Sequence, residues 1–388
     1  MNSKNLATIF QQYEENFDTF NQGKRGGESF KWLIAKEFPV LMDKALESSN
    51  EDFPAALLQV KKLATGLIEN GQHLPFHGLC EIAKQAPSEV RQMFVDLYAD
   101  VGGSRLKSID KIVAFIRKSD ELLTRYYPQS HLYQNDLHSV SAYAFLYDPE
   151  NNYLYKYKEA KAFADCTEYE GEIGGSEAIR LDAFYRMCDE LVKAIKADEK
   201  LLSTANQRYE GKFGLNHDEL HQDTSKHILA FDIIWCCGKY KLLDGIEYEH
   251  RSQQERSEYE RRLREARAAY TALQESERKQ ILLTEALLYL RKAFGVGSKV
   301  TNKANETGTV TKYEDTGMTV ALDSGTKNFG PIPAFCNGAL RADLPGFDNA
   351  VEKYREALAK RNYTESDHIL KLGNFKPYED LLEVLMDD

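Results

Sequence analysis

Gly308-Thr-Val310-Thr-Lys-Tyr313, Glu314-Asp-Thr-Gly317 and Met318-Thr-Val320-Ala-Leu322 follow one another directly in the C-terminal part of the chain. The first and third runs alternate apolar and polar residues, which predicts two half-buried β-strands. The middle run has the turn residues of a β-hairpin. Because parallel strands need a crossover of about a dozen residues, this stretch predicts an antiparallel sheet.

A further turn, Asp323-Ser-Gly325, leads into a third predicted strand, Thr326-Lys-Asn-Phe329. With the flanking sequence, these strands predict a small SH3-like, KOW-like or Tudor-like barrel over residues 295–345, which we expect to fold independently. Barrels of this kind bind nucleic acid, peptides or neighbouring domains, and the fold alone does not fix the function. Lys312 and Lys327 lie within the predicted strands and are candidate nucleic-acid contacts.

The composition indicates a folded protein rather than a disordered one, because 42% of the 388 residues are hydrophobic. Sixty-one acidic residues exceed 50 basic ones, and the net charge of −11 repels polyanions. Nucleic-acid binding would therefore need a local basic patch. The six cysteines include no CxxC pair, which disfavours a zinc ribbon or a disulfide framework and favours a cytoplasmic location. No apolar run has the length of a signal peptide or a membrane span, so we expect no membrane contact.

Apolar residues recur at spacings of three and four within residues 1–247, which predicts a mainly helical domain there. The pattern changes between Ser139 and Tyr157. Alternating apolar residues are followed by Asp148-Pro-Glu-Asn-Asn152, with turn chemistry, and by Tyr153-Leu-Tyr-Lys-Tyr157, rich in strand formers. This segment, about residues 139–157, predicts a β-hairpin inserted in the helical domain.

Residues 248–294 carry dense mixed charge and predict a helical linker with a short coiled-coil-like apolar seam. Ser276 interrupts the seam and could cap a second helix, which favours a helical hairpin or a broken rod. Residues 346–388 predict C-terminal helices. The predicted fold class is therefore α+β.

The predicted hairpin supplies candidate nucleic-acid contacts in Tyr155, Lys156, Tyr157 and Lys158. In a strand the two lysines would share one face, for phosphate contact, and the two tyrosines the other, for base stacking. The alternative is an edge strand whose lysines prevent aggregation.

His217 and His221 stand four residues apart and would share a helix face, so a metal site is conceivable. The pattern is not that of zincins, because Asp218 occupies the place of their catalytic glutamate. The alternative is a solvated turn. Elsewhere the sequence has no P-loop, nucleophile elbow or kinase motif, and Cys236-Cys237 follows an apolar run typical of a packed core.

Five aromatic-rich segments carry a resemblance to a known family: Glu28-Ser-Phe-Lys-Trp32, Met93-Phe-Val-Asp-Leu-Tyr98, Ser139-Val-Ser-Ala-Tyr143, Tyr153-Leu-Tyr-Lys-Tyr157 and Ala230-Phe-Asp-Ile-Ile-Trp235. Residues 5–237, roughly, resemble the N-terminal region found ahead of McrB-type restriction ATPases. The resemblance implies a specificity or adaptor module of prokaryotic defence against foreign DNA. In that family the region precedes an AAA+ motor, which is not among these 388 residues.

These observations favour a non-catalytic recognition or adaptor subunit of a restriction or antiphage system, with no cofactor. Its expected partners are DNA or a protein such as an ATPase or nuclease subunit. One alternative is a metal-dependent nuclease or nucleotide hydrolase that uses His217 and His221. Another is a structural adaptor that binds only protein. A basic groove joining Lys156 and Lys158 to the barrel would favour nucleic acid, whereas an exposed apolar patch on the linker helices would favour a protein partner.

Overall fold

A computed structural model describes residues 1–69, 72–173, 177–360 and 365–386. The chain divides into two compact units, Met1–Arg261 and Arg262–Asp387. The described part of the first unit contains helices and no β-strand, and the second combines helices with one antiparallel sheet. The α+β class is thus confirmed. Every helix within the described ranges is too short or too polar to cross a membrane.

The first unit is a helical assembly around one aromatic-rich core. Its helices are α1 (Ser3–Asn21), α2 (Phe30–Glu47), α3 (Phe53–Ile68), α4 (Pro75–Ala83), α5 (Pro87–Tyr98), α6 (Arg105–Tyr126), α7 (Leu137–Tyr147), α8 (Tyr157–Cys166), α9 (Glu177–Ala197), α10 (Glu199–Asn206) and α11 (His227–Lys239). Short 3₁₀ helices span Lys24–Ser29, Gln207–Glu210 and His217–Glu219. The aromatic rings of Phe94, Phe115 and Tyr143 meet in this core with centroids 5.2–5.8 Å apart.

The predicted β-hairpin at residues 139–157 is wrong. Its first half is α7, which begins with a capping box in which Asp136 and Ser139 each accept the other's backbone N–H, both at 2.9 Å. All residues of α7 are buried except His138 and Tyr147, which are half-buried, so no polar face marks the helical period. Residues 152–156 are extended without strand pairing. The Tyr155 N–H donates to the Ser141 hydroxyl at 3.0 Å, which fastens this segment to α7.

The sheet of the second unit contains β1 (Lys299–Asn302), β2 (Thr307–Glu314), β3 (Gly317–Leu322), β4 (Gly325–Phe329) and β5 (Leu340–Ala342), in the order β4-β3-β2-β1-β5. All neighbouring strands are antiparallel, as the hairpin chemistry predicted. Gly325 has φ 121°, a conformation that its turn requires and that other residues rarely adopt. Because β4 and β5 stand at opposite edges, the sheet is not closed and the predicted barrel is not confirmed.

One face of the sheet packs on helices, and that layer forms the core of this part of the second unit. Val300, Val310, Val320 and Leu322 are buried, while Phe329 is only half-buried. The other walls of the core come from α13 (Pro331–Cys336), α14 (Phe347–Ala359) and the end of α12 (Gln253–Ala293). The chain ends with α15 (Glu365–Phe375), a 3₁₀ helix (Lys376–Leu381) and α16 (Leu382–Met386).

Helix α12 is continuous over 41 residues, so the predicted break at Ser276 is wrong. Ser276 is 2% exposed and lies within the helix, because the residues on both sides keep the helical pattern of buried positions. Leu273 of the predicted seam is buried, and the Tyr270 ring lies 5.6 Å from that of Phe375. The boundary between the two units falls inside α12, at Arg261 and Arg262.

Candidate recognition surfaces

A buried network of charges lies at the centre of the first unit. Asp232 on α11 is fully buried and forms an ion pair with Lys31 of α2, which is 1% exposed. The Tyr13 hydroxyl donates to the same carboxylate at 2.5 Å, and an Arg208 guanidinium nitrogen lies 3.9 Å from it. On its other side, Lys31 lies 2.7 Å from the Glu28 carboxylate. One anionic side chain thus holds two buried cations and a hydroxyl from distant parts of the chain.

Glu28 continues this network toward the surface. Burial alone would raise the pKa of Glu28, but the charge of Lys31 and hydrogen bonds from Lys239, Lys31 and Tyr240 lower it to about 2. The Tyr240 hydroxyl donates to Glu28 at 2.8 Å. Glu28 is therefore ionised at neutral pH and matches the charge of Lys31. The signal in the sequence was a charged residue inside each of two apolar runs, but nothing local showed that the runs meet.

The candidate nucleic-acid residues of the first unit do not form one surface. Tyr155 is buried and its hydroxyl donates to the Ile173 carbonyl at 3.3 Å, so its ring cannot stack on a base. Lys156 is half-buried with its ammonium 4.4 Å from the centre of the Trp235 ring, and burial lowers its pKa. Tyr157 and Lys158 are exposed, in the first turn of α8. The predicted pairing of lysines on one strand face is wrong, because there is no strand.

Lys312 and Lys327 are both exposed, but they point to opposite faces of the sheet. Lys312 stands opposite Thr319, which in turn pairs with Asn328, the residue after Lys327. Successive residues of a strand project to opposite faces, so the two lysines do not share a patch. Lys312 also lies 2.8 Å from the Glu314 carboxylate, which offsets its charge.

His217 and His221 do not lie on one α-helical face. His217 is exposed in the 3₁₀ helix His217–Glu219, and His221 follows that helix. His221 accepts the Asp223 backbone N–H on Nδ1 at 3.0 Å, and burial lowers the pKa of its imidazole. Among the described residues, no three His, Cys, Asp or Glu side chains are grouped to hold a metal ion. Cys236 and Cys237 are buried, as predicted, and burial raises the pKa of both thiols.

Most of the exposed large apolar side chains of the second unit lie on α12 and α15. On α12, Ile281 is 61% exposed and Leu288 59% exposed. Positions seven residues apart lie on nearly the same helix face, so these two side chains project on one side of α12, opposite the buried Leu290. The exposed apolar residues of α15 are Ile369, Leu370 and Leu372. The sequence predicted an apolar seam in this region, but it did not show which side of the helix would stay uncovered.

A groove of about 430 Å³ lies between α12 and α14 in the second unit. Its floor is apolar and is formed by Leu282, Leu283 and Ala357. Its polar lining residues are Lys279, Lys353, Glu356 and Lys360. The groove is therefore an apolar channel bordered mainly by lysines. Because its walls come from two helices far apart in the sequence, it could not be predicted from either segment alone.

No family model matches the sequence, and neither the curated proteins nor the solved structures contain a match to this chain. The resemblance to the region ahead of McrB-type ATPases thus stays a prediction.

Proposed function

We propose that this protein is a non-catalytic adaptor that binds another protein through its second unit. The observation that carries the proposal is the exposure of Ile281 and Leu288 on one side of α12, in the region predicted to be a linker. Exposed apolar side chains that cluster on a soluble domain are typical of protein-binding surfaces. The exposed apolar residues of α15 support the same conclusion for the same unit.

The contacts of the candidate nucleic-acid residues favour a protein partner over DNA. Tyr155 and Lys156 are engaged within the first unit, and Lys312 and Lys327 project from opposite faces of the sheet. A chain with a net charge of −11 needs a concentrated basic patch to bind DNA tightly. Scattered lysines do not supply one.

Residues 5–237 resemble the region ahead of McrB-type ATPases. On this basis we propose that the protein acts in a restriction or antiphage system. The adaptor would then connect target recognition to an ATPase or nuclease subunit. The six unpaired cysteines agree with a reducing cytoplasm. We also propose that the five-stranded sheet belongs to the SH3-like class, on the basis of its meander of short strands and the helix α13 between β4 and β5.

Site-specific photocrosslinking tests the adaptor function. A benzophenone amino acid placed at Leu288 or Leu370 is expected to capture the same protein from native extract, whether or not the extract is treated with nuclease. Leu106, 41% exposed on α6 of the first unit, is the matched control position and should not capture that protein. Capture that requires nucleic acid, or that is equal at all three positions, contradicts the proposal.

A further inference from the structure

The groove between α12 and α14 has the chemistry of a specific docking site. Leu282 and Leu283 lie next to each other on α12, and Ala357 on α14 leaves space because its side chain is small. All three are half-buried, so the floor is accessible. An apolar side chain that enters the groove would be removed from water, at about 25 cal/mol for each Å² buried.

Three lysines border this floor, and each forms an exposed ion pair. The Lys353 ammonium also lies 4.8 Å from the centre of the Tyr354 ring. Lys353 lies 3.1 Å from Glu285, Lys279 lies 3.8 Å from Glu275, and Lys360, at the C-cap of α14, pairs with Glu356. The three lysine side chains are 55–73% exposed. Exposed pairs contribute little stability, so the lysines can turn toward carboxylates of a bound partner.

We propose that the groove binds an amphipathic α-helix of another protein, with an apolar stripe on the floor and acidic side chains beside the lysines. This inference rests on the proposed adaptor function and names the chemistry of the partner. Charge complementarity favours an acidic segment, because three of the four charged residues that line the groove are lysines, and only Glu356 is acidic.

The walls of the groove favour a helix over an extended peptide. An extended peptide needs backbone partners, and the walls are helices whose backbone groups already bond within the helix. A third helix satisfies its own backbone and packs its side chains between those of the two helices. A nucleic-acid strand would need aromatic faces for stacking, and the nearby Tyr354 ring has the Lys353 ammonium over it at 4.8 Å.

The test uses the full chain and a fluorescein-labelled synthetic peptide with Leu at i, i+3 and i+7 and Glu at the flanking positions. Fluorescence anisotropy is expected to show saturable binding that weakens several-fold as salt rises from about 50 to 300 mM. Lys353→Glu and Lys360→Glu should each weaken binding by roughly tenfold. Ala357→Arg fills the groove and should abolish binding. Lys303→Glu, an equal charge reversal in the turn between β1 and β2, is the matched control and should leave binding unchanged.

Three results would overturn this inference: no binding of the peptide, equal binding by the Ala357→Arg protein, or equal binding of a peptide with Lys in place of Glu. Binding of a short single-stranded oligonucleotide that is lost in Lys353→Glu would assign the groove to nucleic acid instead. Circular dichroism establishes that each variant is folded, and the two exposed lysine variants keep the test valid if Ala357→Arg unfolds. If crosslinking at Leu288 succeeds while the groove variants behave as wild type, the adaptor function stands and the groove assignment falls.

Discussion

Replacing Asp232 with asparagine should strongly destabilise the first unit. The substitution keeps the shape of the side chain but removes the negative charge that faces Lys31 and Arg208, both 1% exposed. At 3.9 Å, the attraction between Arg208 and Asp232 is about 4 kcal/mol for an effective dielectric constant near 20, before the desolvation penalty is subtracted. Removing one member of a buried ion pair typically costs about 3–5 kcal/mol, because the remaining charge is left unpaired.

The expected loss lies toward the lower end of that range, about 3 kcal/mol, because Lys31 keeps the Glu28 carboxylate at 2.7 Å. For a domain of this size, 1 kcal/mol corresponds to about 2–4 °C in Tm, so the thermal transition of the first unit should fall by roughly 10 °C. Differential scanning calorimetry at pH 7 measures the shift. Because the chain has two units, the transitions must be assigned separately.

Asp18→Asn is the matched control, since it removes an equal charge from the exposed pair that Asp18 forms with Lys212 at 2.6 Å. Its expected effect is below about 1 kcal/mol. The double variant Lys31→Met/Asp232→Asn should lose less than the sum of the two single variants, because the unpaired ammonium is absent. If Asp232→Asn melts within about 2 °C of Asp18→Asn, the reasoning about the buried network is refuted.

Three other predictions concern pH, folding and the role of Lys156. Burial lowers the pKa of His227 to about 4, and burial with the charge of Lys156 does the same for His138. Because the imidazoles of the unfolded chain bind protons near pH 6.5, the free energy of unfolding should fall as the pH drops from 6.5 to 4, by about 1–2 kcal/mol per histidine at pH 5. Urea titrations across this pH range measure the change. A flat profile would contradict the two pKa assignments. The isolated fragment 295–345 should show no cooperative thermal transition by circular dichroism, whereas fragment 277–360, which retains the buried helical walls of the core, should melt cooperatively. A cooperative transition of fragment 295–345 would show that the strands alone suffice. Lys156→Ala should leave oligonucleotide binding unchanged across a salt series and should lower the free energy of unfolding by about 1 kcal/mol, because its contact with the Trp235 ring is lost. A weaker dependence of oligonucleotide affinity on salt in this variant would restore Lys156 as a phosphate contact.

Short-range patterns predicted the sheet correctly because each strand and its turn are encoded locally. Val310 and Val320 alternate with polar neighbours, and Asp323-Ser-Gly325 supplies the conformation that the next turn requires. The same reasoning failed for α7. A helix surrounded by protein has no polar face, so its sequence shows apolar residues without the helical period.

The sequence by itself determined the α+β class, the antiparallel strands, the helical character of the charged stretch at residues 248–294 and the burial of the cysteine pair, since these depend on residue type and short spacing. Only the tertiary structure decided that Lys31 meets Asp232, 201 residues away, and that α12 and α14 border a groove. It also decided that Lys156 lies against Trp235 rather than beside Lys158 on a strand. Local periodicity says which side of an element is apolar, but which neighbour covers that side, and which part is left uncovered, depends on packing between segments far apart in the chain.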